Sequence, residues 1–214
     1  MESYTTVVRF FQEGGLFMYP IVVVFAIGIA IAIERYMYLT MSKTSSRKMW
    51  DKLLPLIQAG KFPQAMSVTS NSRAAVGKIL NYGLARAGSA RRREDIETAM
   101  EEGLMEMVPR LEKRTHYLAT FANIATLLGL LGTIIGLISA FTAVSNANPS
   151  EKADLLSASI SVAMNTTAFG LMAAIPLLLI YTVLQSKTTE LVDSLEMASV
   201  RFLNAMVERS SKAK

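Results

Sequence analysis

Three long uncharged apolar runs constrain this chain more than any other feature. They cover Leu16 to Ile33 (18 residues), Tyr117 to Ser150 (34 residues) and Leu155 to Ser186 (32 residues). A helix of about 20 apolar residues, rising 1.5 Å per residue, crosses a hydrocarbon layer of ~30 Å. The runs therefore predict an all-α integral membrane protein with three transmembrane helices. A cleaved signal peptide is the alternative for the first run, but the acidic residues before it disfavour that interpretation.

The charge distribution predicts the orientation of the spans. The segment from Met41 to His116 carries 14 Lys and Arg against 8 Asp and Glu, whereas Val144 to Asp154 carries one Lys against two acids. Because Lys and Arg are enriched in cytoplasmic loops, we expect the large segment in the cytoplasm, with the N-terminus outside and the C-terminus inside. The arginine run 91–93 then fits a topology or lipid-facing role better than a nucleic-acid site.

The apolar runs and the charges together give a domain organisation. We expect an external interfacial segment 1–15, a transmembrane helix 16–40, a cytoplasmic helical domain 41–115, a second transmembrane helix 116–143, an external turn 144–154, a third transmembrane helix 155–186 and a cytoplasmic C-terminal helix 187–214.

Two of the spans are expected to extend into a cytoplasmic helical bundle. Apolar residues recur at three- and four-residue spacing from Ile96 to Leu118 and continue the register of the second span, which predicts one unbroken helix with a kink at Pro109. An apolar stripe follows Lys187 on the continuation of the third span. The two extensions should pack against each other.

The sequence shows no catalytic constellation. It has no cysteine and a single histidine, His116, so it offers neither thiolate chemistry nor a histidine metal cluster. A phosphate-binding Gly-rich loop, metal-ligand spacing and a nucleophile elbow are also missing from the sequence. We therefore expect no enzymatic activity, no cofactor and no resident metal.

Small and polar residues form a stripe on each of the last two spans. The members are Ala122, Thr126, Gly129, Thr133, Gly136 and Ala140 on the second, and Ser159, Ala163, Thr167, Gly170 and Ala174, with Asn165 and Thr166 beside them, on the third. Close helix packing is one interpretation. The other is an ion path, whose titrating group must come from another polypeptide because neither run contains an ionisable acid or base.

Two sequence motifs on these spans resemble a known family. The run Gly129 to Gly136, GLLGTIIG, and the run Asn165 to Pro176, NTTAFGLMAAIP, look like the signature of the MotA/TolQ/ExbB family. The three-span topology, the large cytoplasmic segment and Glu34-Arg35 at the end of the first span agree with the three-span ExbB/TolQ type. The resemblance covers nearly the whole chain.

The resemblance implies a function and partners. The chain would form a homopentamer in the bacterial inner membrane around two copies of a single-span ExbD/TolR-like subunit, whose membrane Asp binds the ion. The complex would convert the proton motive force into mechanical work by rotation, for outer-membrane transport or envelope processes, with a TonB- or TolA-like protein as a further partner. The lipid bilayer is the surrounding medium, and no nucleic acid is expected.

The site residues follow from the stripes and the resemblance. The expected ion-pathway residues are Thr133, Thr167, Thr166, Asn165 and Thr126, and the expected helix-packing residues are Gly129, Gly132, Gly136, Gly170 and Pro176. Threonines that match Thr133 and Thr167 line the ion route in the family.

The transported ion stays open between a proton and Na⁺. ExbB and TolQ usually carry Ala before the pathway threonine, whereas this chain has Thr166, as sodium-driven flagellar stators do. Na⁺ needs several oxygen ligands, so Thr133, Thr166 and Thr167 would hold it transiently. Thr166 can equally bond its own helix backbone, and the proton is the commoner ion among three-span members.

Two other functions compete with the ion-driven motor. A structural membrane scaffold would use the small-residue stripes for packing alone and would conduct no ions. A flagellar-stator-like subunit is disfavoured because such chains carry four spans and a larger cytoplasmic domain.

Overall fold

The computed structural model describes residues 14–88 and 92–212, and these residues form helices joined by short turns. The helices are α1 (Met18–Gln58), α2 (Phe62–Ser70), α3 (Ala75–Ala87), α4 (Arg93–Glu112), α5 (Tyr117–Asn146) and α6 (Lys152–Lys212). No strand occurs among the described residues. The predicted all-α class is confirmed.

Three stretches each contain a helix that is long and apolar enough to cross a membrane: Met18–Gln58, Arg93–Ser145 and Lys152–Met206. The predicted number of three spans is thereby confirmed. Helices α1 and α6 continue without interruption far past their apolar runs, α1 to Gln58 and α6 to Lys212. Of the predicted external segment 1–15, residues 1–13 lie outside the described part of the chain.

The expected unbroken helix through the second span is wrong in one respect. Turns occupy residues 113–116 and separate α4 from α5. Lys113 leaves the helical region with ψ 132, and Arg114 adopts a left-handed φ of 68. Pro109 lies inside α4 and its carbonyl accepts the last helical hydrogen bond, from the Lys113 N–H at 3.0 Å. The chain thus breaks four residues after the proline, at a position that no glycine marks.

The chain divides into two compact units, the first formed by residues up to Ile33 together with Arg114–Val183. In this unit most large apolar side chains point outward, and the interior is built mainly from small residues around Met18, Ile21, Leu118 and Leu177. Leu127, Ile138, Phe141 and Leu179 are each at least 60% exposed, whereas its buried positions include many alanines and glycines. Such a surface is stable only in an apolar medium, because water would disfavour so large an exposed apolar area.

The second unit comprises Glu34–Lys113 and Leu184–Lys214 and has the opposite polarity. Its core is built from large side chains, namely Leu53, Ile57, Ile79, Leu80, Met100, Leu111, Leu191, Leu195 and Phe202. Charged residues cover its surface, as expected for a helical unit in water.

Arg35 is the one buried charged residue of the second unit among those described. Its guanidinium donates a hydrogen bond to the carbonyl of Leu111 in the last turn of α4 and lies 4.7 Å from the centre of the Tyr38 ring. The neighbouring Glu34 carboxylate lies 4.0 Å away. A cation at a helix C-terminus satisfies an orphan carbonyl and complements the helix dipole. Arg35 therefore caps the C-terminus of α4 and also lies close to Glu34.

Candidate functional site

The two stripes of small residues face each other, so that α5 and α6 approach at backbone distance. A Cβ atom added at Gly129 would lie 3.2 Å from the Cα of Gly170, and one added at Gly170 would lie 2.7 Å from the carbonyl oxygen of Ala125. Gly136 approaches Ala163 in the same way, with 2.9 Å between the two Cβ positions. Small residues at a helix crossing permit this contact in a membrane, where packing rather than water exclusion holds helices together.

Thr133 of α5 and Thr167 of α6 meet in the middle of this contact. Their hydroxyl oxygens lie within hydrogen-bonding distance of each other. The carbonyl of Gly129 accepts from both hydroxyls, at 3.2 Å from Thr133 and 3.0 Å from Thr167, and the Ala163 carbonyl lies 3.3 Å from Thr133. Both threonines are half-buried. The structure thus joins the two central predicted pathway residues into one polar cluster that spans both helices.

Each hydroxyl in this cluster carries one proton and two lone pairs. The two protons are shared among two carbonyls and the neighbouring hydroxyl, so lone pairs on the threonine oxygens stay available as acceptors. Residues 117–150 and 155–186 contain no Asp, Glu, His, Lys or Arg. The cluster can therefore accept a hydrogen bond or coordinate a cation, but it cannot itself take up and release a proton near neutral pH.

Thr166 serves a different contact from that of Thr167. Its hydroxyl donates toward the carbonyl of Gly14 at 2.6 Å and lies 3.0 Å from the Val162 carbonyl, and the residue is only 2% exposed. Its methyl group fills the space beside Gly132, where an added Cβ would lie 2.4 Å away. Thr166 therefore fastens the segment before α1 to α6, and its hydroxyl is not bonded to the Thr133 and Thr167 pair.

The remaining predicted site residues do not join the cluster. The Thr126 hydroxyl bonds back to the Ala122 carbonyl at 3.1 Å, which is an ordinary contact within a helix. Asn165 is half-buried, and Pro176 is a half-buried residue inside α6. The structure therefore brings together Thr133 and Thr167, with Gly129 and Gly170 beneath them, and leaves the other polar positions apart.

Sequence reasoning missed Gly14 and Gly15 as part of this arrangement. Gly15 has a φ of 75, and a Cβ added there would lie 3.3 Å from the Val162 side chain. Glycine allows this left-handed turn and the close approach to α6. The adjacent pair of glycines immediately before an apolar run was the available signal.

Comparison with known proteins decides the family. Residues 71–197 match the family model described as the MotA/TolQ/ExbB proton channel family. The match covers more than half of the 214 residues and includes both threonines of the cluster. The chain belongs to this family.

Named relatives agree with that membership. A putative biopolymer transport protein ExbB homolog of Methanothermobacter thermautotrophicus is 29% identical over 199 residues, which are 92% of this chain and 69% of that protein. The putative biopolymer transport protein ExbB-like 3 of Synechocystis sp. is 25% identical over 176 residues, covering 82% and 83%. The Tol-Pal system protein TolQ of Haemophilus influenzae is 36% identical over 83 residues, covering 39% and 36%.

Family membership and the three apolar helices make this chain a multi-pass membrane protein of the ExbB/TolQ kind. The resemblance drawn from the two membrane motifs is confirmed.

Proposed function

We propose that this chain is the ion-pathway subunit of an energy-transducing complex in the cytoplasmic membrane. In this complex it forms a homo-oligomer, with a pentamer as the expected ring, around a single-span ExbD/TolR-like subunit. That partner supplies a membrane carboxylate, which takes up a proton and releases it on the other side. The work goes to a biopolymer transport or envelope process, through a TonB- or TolA-like protein.

The observation that carries this proposal is the Thr133 and Thr167 pair in a unit whose membrane runs hold no ionisable residue. The hydroxyls lie side by side on two helices and keep free lone pairs. A protonated carboxylic acid on a partner helix donates a hydrogen bond to these hydroxyl oxygens. Its ionised form is unstable in the apolar surroundings, so proton release must be coupled to movement of the partner helix. Each charge that crosses 100 mV supplies ~2.3 kcal/mol for that movement.

The Thr166 contact favours a proton over Na⁺ as the coupling ion. Na⁺ needs several oxygen ligands around one point. Thr166 is buried against Gly14 and its hydroxyl is directed away from the Thr133 and Thr167 pair. The cluster then offers one hydroxyl fewer than the sequence suggests, namely two hydroxyls beside the Gly129 and Ala163 carbonyls, whereas a proton needs a single titrating oxygen on the partner.

The proposed orientation follows the charge asymmetry, with the N-terminus outside and the second unit in the cytoplasm. In this arrangement the outer face of the first unit contacts lipid, as its large exposed apolar side chains require.

Liposome flux measurements test the function directly. Reconstitution of the chain with a carboxylate-bearing single-span partner from the same source should give proton uptake under an imposed potential, read with an internal pH dye. Thr167→Val, which removes the hydroxyl at constant shape, should lower this uptake at least about tenfold, the effect of losing ~1.4 kcal/mol of barrier stabilisation. Thr167→Ser, which keeps the hydroxyl, is the matched control and should keep most of the uptake.

Three outcomes would overturn the proposal: uptake by the chain alone, full uptake by Thr167→Val, or no uptake with the partner present. Replacing the proton gradient by a Na⁺ gradient distinguishes the ions, because uptake that depends on Na⁺ would contradict the interpretation of Thr166.

A structural scaffold is the second candidate, and one observation favours it. All three central threonine hydroxyls already have partners within the chain, as close helix packing alone would require. A scaffold predicts that Thr167→Val and Thr167→Ser behave alike in every assay and that no flux appears with any partner.

A further inference from the structure

The second unit carries a groove that combines an apolar floor with positive charge. Its volume is about 210 Å³. The lining residues are Lys43, Ser46, Arg47 and Trp50 of α1, Val76 of α3, and Ser194, Leu195 and Ala198 of α6. We call it the basic groove.

Two polar groups of the basic groove, on Arg47 and Ser46, have no polar partner among the described residues. Lys43 is neutralised by Glu190 at 2.5 Å, but Arg47 has no acidic group within 4.0 Å in that part of the chain. The Ser46 hydroxyl is buried, in a residue only 6% exposed, and has no hydrogen-bond partner there. A buried hydroxyl without a partner is rare because it forfeits its bonds to water. A hydroxyl beside a guanidinium is best satisfied by an anionic acceptor such as a carboxylate.

A second groove of the same unit has the opposite charge. Its volume is about 180 Å³. It is lined by Glu97, Met100, Glu101 and Leu104 of α4 and by Glu196, Ser199, Val200 and Leu203 of α6. None of its three carboxylates has a cation within 4.0 Å among the residues described. We call it the acidic groove.

Helix α6 contributes a wall to both grooves through different residues. Leu195 lines the basic groove, whereas Val200 and Leu203 line the acidic one, and successive helical residues are offset by about 100° around the axis. The grooves are therefore two distinct patches of similar size and opposite charge. Identical chains that carry two different complementary patches join head to tail, and such contacts close into rings when the rotation permits.

We propose that the acidic groove of one copy of this chain docks against the basic groove of the next copy. In this contact the Glu101 carboxylate pairs with Arg47 of the neighbouring copy, and the Ser46 hydroxyl of that copy gains an acceptor once its side chain rotates toward the groove. The exposed Val200 and the part-exposed Trp50 and Leu104 side chains are covered at the same time. This interface would hold together the homo-oligomer of the proposed function. The inference rests on that proposal for the existence of a ring, but it does not depend on ion transport.

Engineered cysteines test the geometry, because the wild-type chain has none and gives no background. Ser194→Cys lies in the basic groove and Ser199→Cys in the acidic groove, and both leave every charge in place. The full-length double variant, oxidised in nanodiscs, should form a ladder of disulfide-linked species, whereas each single variant should stay largely monomeric on a denaturing gel. A matched control is the exposed pair Ser67→Cys and Thr98→Cys in the same unit, which should not cross-link.

Charge reversal tests the recognition. In the double-cysteine background, Arg47→Glu or Glu101→Arg should each reduce the cross-linked fraction at least about fivefold, since like charges would then face each other. The combined Arg47→Glu and Glu101→Arg variant should regain it, because every interface again holds one cation and one anion. Arg47 and Glu101 are both exposed, so each variant should keep the helicity of the wild type when measured by circular dichroism.

Several outcomes would overturn the inference: a monomeric wild type, equal cross-linking by a single-cysteine variant, or no recovery in the combined variant. A ring that forms through these grooves without ion uptake would refute the proposed function alone. Ion uptake that persists while the grooves fail to cross-link would refute the interface alone.

Discussion

At Gly170, a single added methyl group would disrupt the contact between α5 and α6. In Gly170→Ala the new Cβ would lie 2.7 Å from the Ala125 carbonyl oxygen and 3.0 Å from the Cα of Gly129, both of them backbone atoms. Ordinary contacts begin at 3.4 Å, so the helices must separate locally by about 0.7 Å. No side chain can rotate away to relieve the overlap.

The free energy of unfolding should fall as a result. Overpacking of this kind costs ~1–3 kcal/mol, and the better helix propensity of Ala over Gly returns at most ~1 kcal/mol. We therefore expect a net loss of about 1 kcal/mol, together with displacement of the Thr133 and Thr167 pair that lies on the same contact. Denaturant titration in detergent micelles, followed by circular dichroism, measures the stability.

Gly88→Ala is the matched control for Gly170→Ala. Gly88 has a right-handed φ of −71, and no heavy atom of the described residues lies within 4 Å of its added Cβ. Alanine at such a position should leave stability unchanged or raise it by ~0.4–1 kcal/mol. If Gly170→Ala were as stable as Gly88→Ala, the backbone approach of α5 and α6 would be refuted.

Two further predictions concern single hydrogen bonds. Thr166→Val removes the donor to the buried Gly14 carbonyl and should destabilise the protein by ~1–3 kcal/mol, whereas Thr166→Ser keeps the donor, loses only the methyl beside Gly132 and should cost less, ~0.8 kcal/mol; a thermal midpoint of Thr166→Val at or above that of Thr166→Ser would contradict this role. The hydrogen bond from Tyr82 to the Glu106 carboxylate, and then the negative charge of that carboxylate, raise the pKa of Tyr82. The stability this bond contributes is thus fully present below the unfolded tyrosine pKa of ~10 and is lost as the pH rises through the folded value. In Glu106→Gln one of the seven tyrosines should ionise at lower pH in a titration at 295 nm, and an unchanged curve would refute the contact.

The identity of the fold and family could be predicted from sequence because both depend on local pattern. Runs of 18, 34 and 32 uncharged residues cannot be placed in water as exposed helices, and the motifs from Gly129 and from Asn165 are contiguous. The pairing of small residues at three- and four-residue spacing also predicts which helix faces meet, since these positions share one side of a helix.

Only the tertiary structure decides which partner each threonine hydroxyl bonds. Thr166 and Thr167 are adjacent in sequence and chemically identical, yet the helix directs them about 100° apart. Thr167 consequently meets Thr133 and Gly129, whereas Thr166 meets Gly14, a residue 152 positions away. The sequence of a helix does not indicate which distant residue packs against each of its sides.

The sequence by itself therefore determined the membrane class, the number of spans, the family and the absence of an internal titrating group. The tertiary structure decided where the second long helix breaks, because Arg114 takes a left-handed conformation that no local glycine indicates. It also separated the anchoring hydroxyl of Thr166 from the paired hydroxyls of Thr133 and Thr167. The physical reason is that composition fixes the solvent a helix prefers, whereas hydrogen-bond partners depend on distances between segments far apart in the chain.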